Sequence, residues 1–203
     1  MKYSKSMQLN IDKKTGTFLG VILVLVLAVV FLLAGNSGSP MNHSGHGSMS
    51  SEDDASGTYT DDELMFASMM IPHHSQAVTM SELALANSTN PEITSLSTAI
   101  RDAQAPEIKQ MQSWLDASNY SESHAHHMEM SGMLSDEELA ELSTAKGSAF
   151  DRLFLEGMIA HHESAIEMIS MIKNSTNSEV KKLYADILTN QSAEIEAMKA
   201  LLK

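Results

Sequence analysis

The sequence contains no cysteine, which excludes disulfide bonds, thiolate metal sites and a lipid-modified cysteine. Basic residues are also scarce over a long stretch: no Lys or Arg occurs between Lys14 and Arg101, and the formal net charge of the 203 residues is −13. Because binding to nucleic acid requires basic side chains that neutralise phosphates, we expect no nucleic-acid partner. Strand signals are missing as well, since residues 36–203 contain neither an alternating apolar run nor an Asn-Gly turn.

One long apolar run, residues 18–34, is interrupted only by Gly20 and follows four lysines. This charge asymmetry predicts that the N-terminus stays in the cytoplasm and that the rest of the chain is exported. The run is longer than a signal-peptide core of roughly 7–15 residues and slightly short of the roughly 20 residues that span a bilayer. Residues 1–35 are therefore predicted to be a signal anchor that holds a periplasmic or extracellular domain at the membrane. A cleaved signal peptide, which would release a secreted protein, is the alternative.

Helix-capping signals divide residues 60–203 into helices. The predicted N-cap residues are Thr60, Asn90, Ser135 and Asn177. Thr60 and Ser135 each open a capping box, and Pro91 follows Asn90 at the first helical position, where its missing N–H costs nothing. The predicted helices cover residues 60–86, 90–117, 135–173 and 177–203, with a loop over residues 118–134.

The phrase MIPHHSQAVTM at residues 70–80 recurs as MIAHHESAIEM at residues 158–168. Similarity extends on both sides, so that the repeats span residues 61–117 and 149–203. Each repeat is a helical hairpin that cannot bury its apolar face alone, and two such hairpins packed together form a four-helix bundle. The sequence therefore predicts an all-α fold, a four-helix bundle of two repeated hairpins, preceded by an N-terminal membrane segment.

Each repeat carries a His-His pair between two methionines on its first helix and another methionine on its second helix. The candidate metal ligands are Met70, His73, His74, Met80 and Met111 in the first repeat and Met158, His161, His162, Met168 and Met198 in the second. A Gln and a Glu also lie on the apolar face of each second helix, where they are costly unless they are bonded. A ligating histidine normally donates its second ring N–H to such a group. We therefore expect Gln104, Glu107, Gln191 and Glu194 to orient His73 and His161, or the neighbouring histidines.

The ligand chemistry favours Cu(I), because thioether is soft and imidazole is borderline. Zinc sites usually contain Cys or a set of His and carboxylate ligands. A di-iron bundle needs Glu-x-x-His motifs, and no Asp or Glu lies three residues before any of the nine histidines. The alternative for the 16 methionines is adaptable core packing, and for the histidines it is hydrogen bonding within the core.

Two further segments mix histidine and methionine outside the predicted helices. Residues 36–59 are rich in Gly and Ser and are predicted to be a flexible tether, which joins the membrane segment to the domain at residues 60–203. Short His-rich tracts are typical of metal binding, and ordinary low complexity is the alternative. The accessory candidates are His43, His46 and Met49 in the tether and His124, His126, His127, Met128, Met130 and Met133 in the loop.

The paired His-His-x-x-Ala-x-x-Met motif, a loop ending in Met-Ser-Gly-Met and the segment FDRLFLEGMIAHHESAIEM (150–168) resemble a family of exported bacterial and archaeal proteins. The family is catalogued as a domain of unknown function, and its best-understood members are CopM-like copper-binding proteins. The resemblance covers residues 60–203 and implies a ferritin-like four-helix bundle that binds copper, often as Cu(I), and supports copper tolerance. The chain departs from the family pattern at Ser131, where proline is frequent, and at Ser164, where glycine is frequent.

These observations predict an extracytoplasmic protein that captures Cu(I), and also Ag(I), through Met and His for buffering, tolerance or transfer, without catalysis. The predicted partners are copper ions and, through residues 18–34, the membrane; the sequence specifies no protein partner. Two alternatives remain open at this point. One is a copper oxidase that converts Cu(I) to Cu(II), and the other is a metal-free helical interaction module whose His-His pairs are bonded within the core.

Overall fold

The computed structural model describes residues 58–120 and 131–203, which form five α-helices. The helices are α1 (Asp61–Asn87), α2 (Pro91–Ala117), α3 (Asp136–Thr144), α4 (Gly147–Met168) and α5 (Ser178–Leu201), and a 3₁₀ turn (Ile169–Ile172) extends α4. These two ranges contain no strand, so the predicted all-α fold is confirmed. The predicted signal anchor, residues 36–57 of the tether and residues 121–130 of the loop lie outside the described residues.

The predicted caps begin four of the helices. The Thr60 hydroxyl accepts the N–H of Glu63, whose carboxylate accepts the N–H of Thr60 in return. Ser135 and Glu138 form the same capping box before α3, and Asn90 accepts an N–H at the start of α2. Asn177 caps α5 in the same way as Asn90 caps α2. These bonds satisfy N–H groups that have no partner within the helix.

The third predicted helix, residues 135–173, was wrong as a single element. The chain is extended at Ala145 and Lys146, and Gly147 has a φ of +57°, so the i→i−4 hydrogen-bond ladder of α3 ends with the bond from the Ala145 N–H to the Glu141 carbonyl. Asn87, the last residue of α1, donates to the carbonyl of Ser143 and accepts from the Lys146 side chain. This tertiary contact holds the break, and α3 and α4 become separate helices.

Two helical hairpins make up the core of the domain. Helix α1 packs against α2, α4 packs against α5, and the hairpins meet where α1 lies against α4. The buried apolar side chains form two clusters, which contain residues of all four long helices. The first cluster holds the beginning of α1 and the end of α2, and the second holds the end of α1 and the beginning of α2. Within the two described ranges, no helix has both the length and the apolar character needed to cross a bilayer.

Candidate metal centre

A polar layer lies between the two apolar clusters. Both His-His pairs belong to it, and all four rings have no exposed surface. Helical periodicity explains why the layer exists, because residues three or four apart lie on the same face of a helix. In each repeat the two histidines lie three and four residues after one methionine. They lie seven and six residues before another. We call His73, His74, His161 and His162 the histidine layer.

The second histidine of each pair is bonded to a carboxylate on the neighbouring helix. His74 Nε2 lies 2.8 Å from Glu107 Oε2, and His162 Nε2 lies 2.8 Å from Glu194 Oε2. The two carboxylates are largely buried, with 14% and 12% of their side-chain surfaces exposed. Since a carboxylate accepts, each Nε2 donates, and the expected role of Glu107 and Glu194 applies to His74 and His162 rather than to the first histidine of each pair.

The first histidines of the two pairs meet each other across the α1–α4 contact. The ring centroids of His73 and His161 lie 3.7 Å apart, with an interplanar angle of 35°. His161 Nε2 donates to the backbone carbonyl of His73 at 2.9 Å. His73 Nε2 instead contacts Ser164 Oγ at 2.8 Å, and Ser164 Oγ donates to the carbonyl of His161 at 2.8 Å. The two repeats therefore bond their first histidines differently.

The second ring nitrogen of every histidine in the layer is left without a partner. Each Nε2 faces a group that accepts, so Nε2 carries the proton in the neutral ring and Nδ1 carries a free lone pair. All four Nδ1 atoms are buried and lack a hydrogen-bond partner, as do both polar atoms of Gln104 and Oε1 of Gln191. An unsatisfied buried polar group costs about 1–3 kcal/mol, so the layer is expensive unless a ligand or water completes it.

Burial keeps the first histidine of each pair neutral. Loss of solvent, reinforced by the neighbouring rings of His74 and His162, lowers the pKa of His73 from its ordinary 6.5 to about 3. Burial, together with the ring of His73 and the rings of His162 and His74, also lowers the pKa of His161 well below 6.5, and the bond to the His73 carbonyl opposes this only in part. A neutral imidazole is the form that binds a metal ion.

Six methionines flank the histidine layer as two matched sets of three. The first methionine triad belongs to the first apolar cluster and the second methionine triad to the other. The first consists of Met70, Met111 and Met168, and the second of Met158, Met198 and Met80. In the repeat alignment Met70 corresponds to Met158, Met111 to Met198 and Met168 to Met80. Five of these side chains are fully buried, and Met168 is partly buried against the first cluster.

The end of the loop is docked on the helices of the histidine layer, a feature that the sequence did not reveal. The Gln76 amide bonds Leu134 twice, accepting from its N–H and donating to its carbonyl, both at 2.8 Å. Gly132 lies so close to α4 that a Cβ there would be 2.5 Å from Ser164 Cβ, 2.7 Å from the Ala160 carbonyl and closer still to Ser164 Oγ. The sequence gives one hint of this docking: Gln76 and Ser164 occupy equivalent positions in the two repeats but are different residues.

The accessory candidates are placed only in part. Met133 lies within the described residues and lines a cavity of about 350 Å³ between α3, α4 and the loop end, together with Glu138, Glu141 and Glu156. The other accessory histidines and methionines lie outside the described residues. Across residues 58–120 and 131–203, no three His, Asp or Glu side chains are grouped closely enough to hold a metal ion.

Comparison with known proteins gives relatives of the same fold. A putative secreted protein of the DUF305 family from Streptomyces coelicolor is 28% identical, with a TM-score of 0.65 and coverage of 70% of this chain and 91% of that one. A DUF305 fragment from Deinococcus radiodurans is 32% identical, with a TM-score of 0.62 and coverage of 70% and 96%. A search of curated protein sequences finds no match.

A further relative is CopM. In its Cu(I)-bound form CopM is 37% identical to this chain, with a TM-score of 0.57 and coverage of 70% of this chain and 95% of CopM. Structures of CopM bound to Cu(II) and to silver match similarly, at 35% and 36% identity. The model of the family described as "Domain of unknown function (DUF305)" matches residues 63–202, and the chain therefore belongs to that family.

Proposed function

We propose that this protein captures Cu(I), and Ag(I) by the same chemistry, at two pseudo-equivalent sites built from the methionine triads and the histidine layer. The observation that carries the proposal is the set of four buried Nδ1 atoms without partners, in rings whose Nε2 atoms are all engaged. A metal ion would accept these lone pairs and remove the cost of leaving them unsatisfied. The bonds at Nε2 would set the ring orientation, as they do around ligating histidines in general.

The thioethers supply the selectivity in this proposal. Soft sulfur ligands favour Cu(I) and Ag(I) over Zn(II) and Mn(II), and no thiolate is present to compete. Met70 and Met158 lie one helical turn before the histidine pairs, so each thioether is a neighbour of its histidines on the same face. The relation to CopM, which has been solved with Cu(I), Cu(II) and silver, supports copper as the cargo.

The remaining features support the proposal of a binding protein outside the cytoplasm. We infer that the four long helices form the ferritin-like bundle that the resemblance implies, with α3 as an addition in the connection between the hairpins. Export agrees with the apolar run that follows four lysines and with the relative from Streptomyces coelicolor, which is described as a putative secreted protein. Reversible capture for buffering, tolerance or transfer requires no substrate pocket, and we assign no catalysis to the site.

Metal counting on paired variants tests the proposal. The purified chain is loaded with Cu(I) under reducing conditions, competed against a Cu(I) chelator and analysed for bound metal. Replacing either methionine triad by leucines should remove one tightly held ion, and replacing both should remove two. Met65→Leu is the matched control, because Met65 lies on α1 but is 37% exposed, and it should bind as the unmodified protein does. No tight copper in the unmodified protein would leave the metal-free interaction module as the better explanation, and equal retention of zinc would overturn the assignment to Cu(I).

A further inference from the structure

We propose that Ser164 is a positioning residue that fixes the ring of His73, and that the docked segment Gly132–Leu134 holds Ser164 in place. The segment would thereby connect the His/Met-rich loop to one histidine of the layer. The hydrogen-bond relay stands on the geometry alone, and only its consequence for metal binding rests on the proposed function.

The hydrogen-bond relay runs from the His73 ring to the Ser164 hydroxyl and from there to the His161 carbonyl. Ser164 has a single hydroxyl proton, which it donates to the carbonyl of His161 at 2.8 Å. Toward His73 it can then only accept, so His73 Nε2 must carry a proton to make the 2.8 Å contact. This assigns the Nε2–H tautomer to His73, and the free lone pair of the ring therefore lies on Nδ1. Without Ser164, nothing in the described contacts fixes which nitrogen of this ring carries the proton.

The relay belongs to one repeat only. The position equivalent to Ser164 in the first repeat is Gln76, whose amide bonds Leu134 and no histidine. His161 accordingly reaches a carbonyl directly, whereas His73 reaches one through a hydroxyl. Of His73 and His161, only His73 therefore has a ring position that depends on a side chain that can rotate, namely Ser164.

The docked segment lies directly against that side chain. Gly132 has a φ of +81° and contacts Ser164 so closely that no larger residue fits without movement. Two residues later, Leu134 is bonded twice by Gln76 and packs on Gly157, where a Cβ would be 3.0 Å from its Cδ1. Three contacts with α1 and α4 thus hold the segment over Ser164. A rotamer change at Ser164 would require the segment to lift.

Ring-nitrogen NMR of the metal-free, full-length chain tests the relay. With ¹⁵N-labelled histidine, the His73 signals are identified by their loss in His73→Gln. The unmodified protein should show a single Nε2–H tautomer for His73 with slow exchange of that proton. Ser164→Ala should accelerate the exchange by about tenfold, because the net worth of one hydrogen bond is lost. Gly132→Ala should act in the same direction, because its Cβ displaces Ser164.

Two control variants distinguish the effect of the relay on His73 from a general loosening of the fold. Ser97→Ala removes another buried serine, whose hydroxyl has no hydrogen-bond partner, and Gly147→Ala introduces a side chain at positive φ with nothing within 4 Å. Neither should alter the His73 signals. Unchanged exchange in Ser164→Ala would overturn the relay, and equal effects of Gly147→Ala and Gly132→Ala would overturn the role of the docked segment. If Ser164→Ala fails to fold, Gln76→Ala frees Leu134 without touching the relay and should also speed the exchange; no effect there would overturn the segment's role.

Titration with Ag(I) then tests the consequence for binding. Ser164→Ala should weaken one of the silver sites by about tenfold, the lower end of what loss of a ligand-orienting bond usually costs. Altered NMR signals with unaltered silver affinity would leave the relay standing and overturn its contribution to binding. Absence of silver binding by the unmodified protein would refute the proposed function while the NMR result still decides on the relay.

Discussion

Glu107 Oε2 accepts a hydrogen bond from His74 Nε2 at 2.8 Å, across the contact between α1 and α2. The second repeat reproduces this bond between Glu194 and His162 at the same length. A carboxylate on the far nitrogen increases the electron density of the imidazole and fixes its orientation. Each pair is thus arranged so that Nδ1 is the atom offered to a ligand.

Glu107→Gln should weaken copper binding by about 10–100-fold, the usual cost of losing a carboxylate behind a ligating histidine. The amide fills the same space, so the helices should keep their circular-dichroism signal. Competition against a Cu(I) chelator measures the loss, and Glu194→Gln should match it at the other site. Glu196→Gln on the exposed side of α5 is the control and should leave the affinity unchanged. An unaltered affinity in both active variants would mean that His74 and His162 are not ligands.

Tryptophan fluorescence should report on the first methionine triad alone. Trp114 is the only tryptophan of the chain, is buried, and belongs to the same cluster as Met111, three residues before it on α2. Silver bound at the first triad is therefore expected to change the emission, whereas silver at the second triad should not. Leucine substitution of the first triad should abolish the response, and the same substitution of the second triad should preserve it. A response that survives in the first variant would place the ion elsewhere.

Helix starts were predictable from the sequence because caps are local. Thr60, Asn90, Ser135 and Asn177 satisfy N–H groups within three residues of themselves, and each begins a helix as predicted. The break between α3 and α4 was not predicted. Gly147, with a φ of +57°, lies at this break, and Asn87 contacts Ser143 and Lys146 there from the end of α1. Local periodicity continues across such a break and gives no warning of it.

The composition of the histidine layer was also predictable, but its bonding was not. A repeated Glu on an apolar face must bond to something, which indicated a histidine partner. Which histidine it contacts depends on the rotation of α1 and α4 about their axes, and periodicity gives that rotation too coarsely to separate residues 73 and 74. Ser164 was noted only as a departure from the family pattern, because a single serine two residues after the repeated His-His pair is typical of an ordinary polar position.

Deleting residues 41–49 should reduce the number of weakly held copper ions and leave the tight sites and the fold intact. The segment contains His43, His46 and Met49 but no aliphatic run, and it precedes the described domain. Metal counting at increasing chelator concentration separates the weak from the tight ions, and circular dichroism follows the helices. Loss of a tight ion on deletion would show that the tether contributes a ligand to the main sites.

Acid should destabilise the metal-free domain before its carboxylates titrate. His73 has a folded-state pKa of about 3 and His161 one well below 6.5, whereas both return to about 6.5 on unfolding. Between those values the unfolded chain binds more protons than the folded one, so folding stability is complete above about pH 6.5 and declines as the pH falls toward 3. Each histidine should contribute up to about 1.4 kcal/mol per pH unit over this window.

Urea unfolding at a series of pH values from about 6.5 to 5.5 measures this slope, in a range where ordinary carboxylates remain ionised. His73→Gln should reduce the slope by the contribution of one proton, even if it lowers the overall stability, because the slope depends on proton uptake and not on packing. Substituting an exposed glutamate such as Glu82 by Gln should leave the slope unchanged in this range. A metal-free protein whose stability does not depend on pH here would mean that the histidine layer is open to water and protonates as free histidine does, and the unpartnered Nδ1 atoms would then carry no argument for copper.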